Sequence, residues 1–500
     1  MHTQSIRIHP IHIIHKEYYL FDIAIIGFGA TGVSLLKQIQ DEVYACGLDA
    51  PRIAVFSPSG DFARGKAFGD ADTIHKVNTP PSMLSISNTE PFGFTHWMST
   101  KGKANESYPK RLIYSDFLQE TYQGITQSGL VTIEEIHEPV QAISREQNGY
   151  RIFGATRKNI TAHKVVLCLG SLHGSNFRHL SNKPGFMTHH SELREIRRGA
   201  VLIAGTGLTA VDAFRSLNQS KNCEIHLFSR HGFAPTCLTK ENRYTPIYLS
   251  WSALSKELDH STRLQNFLKI LKQECEYLLG NSERIPAIQI LKNQGPACYF
   301  EYLMERSETA DLPYQDILAS TRPYMHKLWR SMPIEDKIYF NINYGSDWAT
   351  WRHPIPYEVI YELASAARDQ RLHIHQGKKA PYFDNDQFVL ETTTGKTIRA
   401  KNLVDGTGGN IRLDAIDSPL LRSLSEQRLI EDHPCGGINI DPLTFQCLVN
   451  YKPVPGLYSL GPLSKGSLFS TNAFWFNSHC AGHWARQWAI NATKNNTIEN

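Results

Sequence analysis

Two runs of consecutive apolar residues, each followed by a glycine-rich turn, stand out along the chain. Residues 23–26 read IAII before GFGATG, and residues 201–204 read VLIA before GTGLTA. A continuous apolar run is typical of a parallel strand that is buried on both faces. Apolar residues at helical spacing follow both turns, so each segment predicts a strand, a tight turn and a helix.

The first turn has the spacing of a dinucleotide-binding site, Gly27-x-Gly29-x-x-Gly32. The first glycine permits a tight turn, the second lets the backbone approach a phosphate, and the third lets the helix pack against the strand. The helix would begin near Ala30 and Thr31 and offer free N–H groups to a pyrophosphate. We therefore predict a dinucleotide site here, and the alternative is a glycine turn without a ligand.

The next predicted strand, residues 52–56 (RIAVF), ends at an unusual residue for such a site. An acidic residue usually follows this strand and binds a ribose hydroxyl, but this chain has Ser57. A serine hydroxyl can form one hydrogen bond with the ribose. We therefore expect Ser57 to contact the nucleotide and adenosine binding to be weaker than with a carboxylate.

The second turn repeats the fingerprint with alanine in the last position, Gly205-Thr206-Gly207-x-x-Ala210. The following predicted strand, residues 224–228 (EIHLF), ends in Ser229 and Arg230. An acid there would favour NAD, whereas an arginine can grip the 2′-phosphate of NADP.

The alternative reading of Arg230 is a surface arginine at the end of a strand. The sequence favours a second nucleotide site with Ser229 and Arg230 beside NADPH.

Three more segments pair a strand with glycines, and they suggest how the domains are arranged. Residues 165–169 lead to Gly170, residues 402–404 lead to Asp405-Gly406, and residues 456–475 read GLYSLGPLSKGSLFSTNAFW. We expect the last two segments to return to the first nucleotide domain. The predicted α/β fold has two Rossmann-like domains, the second inserted into the first: a leader (1–19), first domain (20–178), second domain (179–395) with helical insertion (about 235–365), and the rest of the first domain (396–500).

Apolar spacing also predicts local elements outside the glycine turns. Helices are predicted at 255–279, 312–329 and 357–367, a hairpin at 388–399 around Thr394-Gly395, and an aromatic C-terminal helix at 474–488.

Charge and cysteine usage exclude several classes of function. The net charge of +4 is small for 500 residues, so neither a nucleic-acid groove nor a membrane-binding patch is expected. The nine cysteines include no CxxC pair, which argues against a zinc knuckle, a dithiol redox pair and a disulfide framework. We expect reduced thiols, a cytoplasmic location, no membrane span and no metal site. The histidine-containing leader lacks the apolar run of a secretory signal.

Several stretches together resemble a family of bacterial FAD/NAD(P)-binding proteins that is distantly similar to lysine and ornithine N-hydroxylases and other class B flavin monooxygenases. These stretches are VLIAGTGLTAVDAFRSL (201–217), IHLFSRHGFAP (225–235), GKAFGDADTIHKVNTPPSML (65–84), YPKRLIYSDFL (108–118), RHPIPYEV (352–359) and VPGLYSLGPLSKG (454–466).

The resemblance implies FAD in the first turn and NADPH in the second. It also implies that Gly170, Gly461 and Pro462 lie against FAD. A helix starting near Thr471 would direct its positive N-terminus at the flavin.

Three polar residues are candidates for the reacting side of the site. The resemblance places Asn78 and Arg111 beside the flavin or the substrate, and His353 is a candidate general acid or base. The alternatives are that Asn78 caps a turn, that Arg111 pairs with a surface acid, and that His353 packs in a turn.

The implied reaction is hydride transfer from NADPH to FAD, followed by transfer of an oxygen atom from O2 to a small nucleophile such as an amine. Two alternatives stay open on the sequence. One is an NAD(P)H-dependent flavin reductase or oxidase that inserts no oxygen, and the other is a flavin-binding protein without catalysis.

Overall fold

The computed structural model describes residues 20–156, 159–172, 176–239, 244–257, 263–280, 285–309, 311–409 and 411–499. The predicted leader, residues 1–19, lies outside the described residues. The predicted α/β class is confirmed, because two mostly parallel sheets carry helices against them.

The strands have the following bounds: β1 (Leu20–Ile26), β2 (Arg52–Phe56), β3 (Thr132–Ile136), β4 (Val140–Glu146), β5 (Gly149–Gly154), β6 (Asn159–Leu167), β7 (Phe186–Met187), β8 (Gly199–Ala204), β9 (Cys223–Ser229), β10 (Leu372–Gln376), β11 (Tyr382–Asp384), β12 (Gln387–Glu391), β13 (Thr397–Ala400), β14 (Asn402–Asp405), β15 (Gln446–Val449) and β16 (Lys452–Ser459).

The α-helices have the following bounds: α1 (Ala30–Cys46), α2 (Gly65–Gly69), α3 (Gly93–Thr100), α4 (Arg111–Gln127), α5 (His190–Leu193), α6 (Leu208–Asn218), α7 (Trp251–Glu257), α8 (Arg263–Leu279), α9 (Ile285–Gln294), α10 (Pro296–Glu308), α11 (Pro313–Ser320), α12 (Met325–Ser331), α13 (Ile334–Asn343), α14 (Gly345–Arg352), α15 (Tyr357–Arg368), α16 (Pro419–Glu426), α17 (Lys465–Leu468) and α18 (Phe474–Glu499).

The two main sheets have the same plan. The first has the order β15-β16-β6-β1-β2-β3 and the second the order β10-β9-β8-β14-β7. In each, the strand before the glycine turn, β1 or β8, lies between two parallel neighbours. Each domain also carries an antiparallel three-stranded unit, β4-β5-β6 in the first and β11-β12-β13 in the second. The fold therefore contains two Rossmann-like domains, as predicted.

The C-terminal helix returns the chain to the first domain. Helix α18 packs on α1, where the Ser34 hydroxyl donates to Ser478 Oγ at 3.1 Å and Gln38 Nε2 donates to the Ser478 carbonyl at 2.8 Å. The predicted insertion of the second domain into a split first domain is therefore present.

The predicted boundary at residue 396 is wrong. Strand β14 pairs in parallel with β8 and β7, so it belongs to the second sheet. Strand β14 lies next to β8 in the second sheet, just as β6 lies next to β1 in the first. A short apolar run before a glycine also occurs in the strands of the first domain. The local sequence therefore does not show which of the two sheets β14 joins.

The predicted helices of the insertion are present but shorter. The pattern at 255–279 corresponds to α7 and α8, and the pattern at 312–329 corresponds to α11 and α12 with a turn between them. Pro323 lies in that turn and has no N–H with which to continue a helix. The predicted helix at 357–367 and the hairpin around Gly395 are confirmed by α15 and by the pairing of β12 with β13.

Candidate functional site

A cavity of about 1040 Å³ lies between the two domains. The first domain contributes the turn before α1, the second contributes the first turn of α6, and the helical insertion closes a third side. Cavities that bind cofactors are typically several hundred Å³ or more. The volume therefore suits one large ligand with space beside it.

The first glycine turn is packed too closely for side chains. Gly27 has φ +89°, and a Cβ there would lie 2.5 Å from the Cys168 carbonyl oxygen. A Cβ on Gly32 would lie 2.7 Å from the Gly27 oxygen, and one on Gly29 would lie 3.0 Å from the Cα of Gly65. Gly27, Gly29, Ala30 and Thr31 line the cavity, whereas Gly32 holds α1 against the turn.

Ser57 takes the predicted position at the end of β2. It lines the cavity, is 4% exposed, and donates its N–H to the Ile136 carbonyl. The sequence analysis missed Arg64, which also lines the cavity. Its Nη2 donates to Gln119 at 2.5 Å, while its buried Nε has no partner in the described part of the chain.

The opposite end of the first domain's site is formed by the C-terminal segment. Gly170, Pro462 and Thr471 line the cavity together with the first residue of α18, Phe474. The helix begins at Phe474, as the aromatic pattern predicts and three residues after the start near Thr471 that the resemblance implies, and its N-terminus lies at the cavity. Gly461, with φ +94°, lies behind the wall, where a Cβ would be 3.4 Å from Thr31 Oγ1.

The second glycine turn repeats the geometry of the first. The Gly205 N–H donates to the Phe228 carbonyl at 2.7 Å, as the Gly27 N–H donates to the Phe56 carbonyl at 2.9 Å. Gly205 has φ +105°, and a Cβ there would lie 2.6 Å from the Gly406 oxygen. The repeated contacts show that the two turns have the same backbone arrangement.

At the second turn, the start of the following helix lines the cavity, whereas the glycines do not. Leu208 and Thr209, the first residues of α6, line the cavity. Gly205, Thr206, Gly207 and Ala210 lie beside it, and Ala210 is fully buried against the sheet. These four residues support the turn whose helix start faces the cavity.

Ser229 and Arg230 lie at the end of β9, outside the cavity. Ser229 Oγ accepts the Gly232 N–H at 3.0 Å, and the Arg230 carbonyl accepts from Gln376 at 3.0 Å. The exposed guanidinium of Arg230 makes no ion pair with another described residue. Its contact with a nucleotide stays a prediction.

Arg111 joins the two domains. Its Nη2 lies 2.6 Å from Asp212 Oδ2 on α6, and its Nε donates to the Lys76 carbonyl at 3.2 Å. His75 supports the same contact, with Nε2 at 3.0 Å from the Asp212 carbonyl. Arg111 lines the cavity. The alternative prediction paired it with a surface acid, but its partner Asp212 is a buried acid of the other domain.

The two candidate catalytic residues both line the cavity. Asn78 Oδ1 accepts from Thr79 at 3.5 Å, beside the turn at Pro80. His353 Nδ1 lies 2.9 Å from the Ala349 carbonyl, which only accepts, so this nitrogen carries the hydrogen. Burial, reinforced by the charge of Arg352, lowers the pKa of His353 to about 3. The imidazole is therefore uncharged at neutral pH, and a catalytic role of Asn78 or His353 stays a prediction.

The helical insertion and the C-terminal segment add polar groups that the sequence did not reveal. Arg322, Arg352 and Lys465 line the cavity, together with Gln315 and Asp316. Burial lowers the pKa of Arg352 to about 9 and also lowers the pKa of Lys465. Burial raises the pKa of Asp316 to about 6, although Thr239 donates to its carboxylate at 2.9 Å.

A separate histidine cluster lies on β9 and β10, away from the cavity. Glu224 Oε1 lies 3.3 Å from His226 Nε2 and 3.2 Å from His373 Nε2, and His375 contacts the other nitrogen of His226 at 3.1 Å. Ligand atoms of Glu224, His226 and His373 all lie within 4.8 Å of one another, a spacing that could hold a metal ion. The sequence analysis expected no metal site and missed this group.

Residues 24–172 match a protein-family model described as FAD-NAD(P)-binding. Comparison with curated protein sequences gives no match.

The solved structure of ornithine hydroxylase from Pseudomonas aeruginosa superposes with a TM-score of 0.61 at 13% identity, covering 94% of this chain and 99% of that one. This chain has the ornithine hydroxylase fold. The ornithine N-hydroxylase of Kutzneria sp. 744, solved with reduced FAD, NADP⁺ and L-ornithine, gives 0.58 at 13% identity, covering 96% and 100%. Bacillithiol disulfide reductase from Bacillus cereus gives 0.52 at 12% identity, covering 95% and 100%, so the fold also serves a different chemistry.

None of the described helices combines the length and the apolar character that crossing a membrane requires.

Proposed function

We propose that this chain is an FAD-dependent oxidoreductase that NADPH reduces, and that it acts as a monooxygenase on a small-molecule nucleophile. One observation carries the proposal: a single cavity reaches from the first glycine turn to the helix start of the second. Two dinucleotides bound at these turns would have their reactive ends in one shared space.

The first turn fits the pyrophosphate of FAD. The close contacts of Gly27 and Gly29 leave bare backbone facing the cavity, and the N-terminus of α1 supplies N–H groups near Ala30 and Thr31. The unpartnered Nε of Arg64 is a further donor for a phosphate or ribose oxygen. Ser57 would contact the ribose.

The C-terminal segment fits the flavin ring. Gly170, Pro462 and Thr471 form the wall, and the positive end of α18 would stabilise negative charge on a reduced ring. Phe474 and Trp475 add apolar surface that keeps water from this end of the cavity. When bound, FAD would supply the transfer of electrons from NADPH to O2.

The second domain fits NADPH. Its turn repeats the geometry of the first, and the exposed guanidinium of Arg230, directly after β9, would bind the 2′-phosphate with two parallel hydrogen bonds. Asp212 and Arg111 would hold the two domains at the distance that hydride transfer needs.

Cysteine chemistry favours oxygenation over disulfide reduction. Cys168 lines the cavity, but burial raises the pKa of its thiol, and a protonated thiol is a poor nucleophile. The nine cysteines contain no CxxC pair that could shuttle electrons to a disulfide. The similarity to ornithine N-hydroxylases supports an amine or another heteroatom as the nucleophile.

The test is NADPH oxidation by the FAD-loaded protein under ¹⁸O2 with a panel of small amines and other heteroatom nucleophiles. A monooxygenase places ¹⁸O in one product and releases less H2O2 per NADPH when that substrate is present. An oxidase or reductase returns all consumed oxygen as H2O2 with every compound, and this result would overturn the oxygenase assignment.

A further inference from the structure

Three basic side chains meet at the helical side of the cavity. Arg322 lies in the turn after α11, Arg352 is the last residue of α14, and Lys465 is the first residue of α17. All three side chains, together with His353, line the same cavity. The protein thus gathers three cations from separate elements at one wall.

These cations have no counter-charge among the residues that the structure describes. Within the described ranges, no carboxylate oxygen lies within 4.0 Å of the charged nitrogens of Arg322, Arg352 or Lys465, and their side chains make no hydrogen bond. Arg352 is only 4% exposed, and its Nε has no hydrogen-bond partner among the described residues. Its guanidinium lies 5.9 Å from the centre of the Trp348 ring, a contact that supplies no counter-charge. Burying an unpaired cation is costly, so proteins rarely do it without a ligand that restores the balance.

Neutral polar groups complete the same wall. The amide of Gln315 is 3% exposed, and neither its oxygen nor its nitrogen has a partner in the described structure. The neighbouring Asp316 is engaged by Thr239 and does not neutralise the cations, since no contact joins it to them. His353, which faces the cluster, is neutral, with its Nδ1 hydrogen turned to the Ala349 carbonyl. Gln315 and the cations therefore offer several unused donors to an oxyanion.

We infer that the substrate of this enzyme is a small oxyanion-bearing molecule of charge about −2, bound by Arg322, Arg352 and Lys465. This inference rests on the proposed function, because it assigns that wall of the shared cavity to the substrate. The planar guanidinium groups match carboxylate or phosphate oxygens in pairs, and the ammonium adds a third charge. Two carboxylates or one phosphate would satisfy the cluster, with the nucleophile on the opposite side of the molecule, toward the flavin.

The proposal is tested by thermal melting of the FAD-loaded protein with added succinate, inorganic phosphate or putrescine, each compared with sodium chloride at equal ionic strength. We expect a saturable rise of Tm with one of the dianions and none with the dication putrescine. Succinate as the better probe would indicate a dicarboxylate, and phosphate a phosphate ester. No rise beyond that of sodium chloride, or a rise with putrescine alone, would overturn the proposal.

Variants locate the binding. Arg352→Gln should weaken the apparent affinity for the active dianion by about tenfold or more, because one charged pair is lost. The control is Arg145→Gln. Arg145 is exposed on β4 of the first domain, so this variant should leave the affinity for the dianion unchanged. If Arg352→Gln fails to retain FAD, the less buried Arg322→Gln replaces it. Equal affinity in the cluster variant and the control would contradict the assignment.

These outcomes are separable from failure of the proposed function. Dianion binding is measured without turnover, and flavin reduction by NADPH is measured on the same samples. If NADPH reduces the flavin but no dianion binds, the oxidoreductase proposal stands and the proposed substrate class is wrong. If a dianion binds but NADPH does not reduce the flavin, the anion site stands and the oxidoreductase proposal is wrong.

Discussion

At the scale of single residues, the identity of one side chain at the end of a strand decides which nucleotide a Rossmann domain prefers. Ser57 directly follows strand β2 and Arg230 directly follows β9, and neither position carries the acid that selects NAD. Arg230 is exposed and has no charged partner among the described residues, so its full binding capacity is available to a phosphate. We therefore propose that coenzyme preference depends on this residue.

Replacing Arg230 with alanine should weaken NADPH binding by about ten- to a hundredfold and leave NADH binding nearly unchanged. The reason is the loss of a charged hydrogen-bond donor that only the 2′-phosphate uses. The measurement is the dissociation constant of each coenzyme from flavin-reduction rates, with Arg145→Ala as the matched control. An unchanged ratio of the two constants would remove Arg230 from the site.

His433 predicts a pH dependence of stability. Burial lowers its pKa from 6.5 to about 4, and its Nδ1 accepts the Cys435 N–H at 2.9 Å, which requires an unprotonated nitrogen. The unfolded chain binds a proton below about pH 6.5 that the folded chain does not, so stability falls as the pH falls from 6.5 to 4. The contribution is at most about 1.4 kcal/mol per pH unit.

The corresponding measurement is Tm against pH. His433→Gln keeps an acceptor without the titration, so its Tm should depend less steeply on pH between 4 and 6.5 than that of the unchanged protein. His163→Gln, an exposed histidine, should not change the slope. Identical slopes in all three proteins would show that His433 is not the group responsible.

At the scale of elements, the contact between the first glycine turn and α2 shapes the flavin site. Gly29 and Gly65 approach so closely that a Cβ on either would lie 3.0 Å or less from the Cα of the other. Gly65 also has φ +64°, a conformation that side chains disfavour. The pair lets α2 cover the turn.

Gly29→Ala should separate these elements and weaken FAD retention by about tenfold or more. The matched control is Gly124→Ala, which lies within α4 with open space around it, and which should raise stability slightly because alanine favours helix. Equilibrium dialysis of FAD measures the first effect, and thermal melting checks that both variants fold. Full FAD affinity in Gly29→Ala would contradict the role of this contact.

The same elements show what the sequence could and could not predict. Both glycine turns were predictable because their requirements are local: Gly27 and Gly205 each sit between an apolar strand and a helix. The sheet to which β14 belongs was not predictable. Both sheets have parallel strands with which it could pair, and its partner β8 lies far away in the chain. The cation cluster was missed for a related reason, since Arg322, Arg352 and Lys465 belong to separate elements and no spacing connects them.

At the scale of the whole molecule, a band of contacts on α6 fixes one domain against the other. The Arg111–Asp212 pair lies at its centre, and Arg215 extends it by donating to the Ile74 carbonyl at 2.6 Å and to Glu362 at 2.7 and 2.8 Å. The contacts with Arg111 and Ile74 join α4 and the loop before α3 to the helix of the second glycine turn, and the contact with Glu362 ties that helix to α15. They set the distance between the two nucleotide sites.

Asp212→Asn should slow flavin reduction at saturating NADPH while FAD affinity stays the same, because the domains lose an ion pair but the first turn is untouched. A double-mutant cycle with Arg111→Met should give a coupling of about 1–3 kcal/mol, between the values of exposed and fully buried pairs. Chemical unfolding measures the coupling, and rapid mixing measures the rate. A coupling near zero, with an unchanged rate, would show that the pair does not position the domains.

The most direct test of the account is anaerobic mixing of the FAD-loaded protein with NADPH and, separately, with NADH, while the flavin absorption spectrum is recorded. Because the first glycine turn and the helix start of the second face one cavity, we predict rapid bleaching of the flavin, at lower concentrations of NADPH than of NADH. An unbleached flavin with both coenzymes would mean that the second turn does not deliver hydride to the first, and the account of two cooperating nucleotide sites would be contradicted.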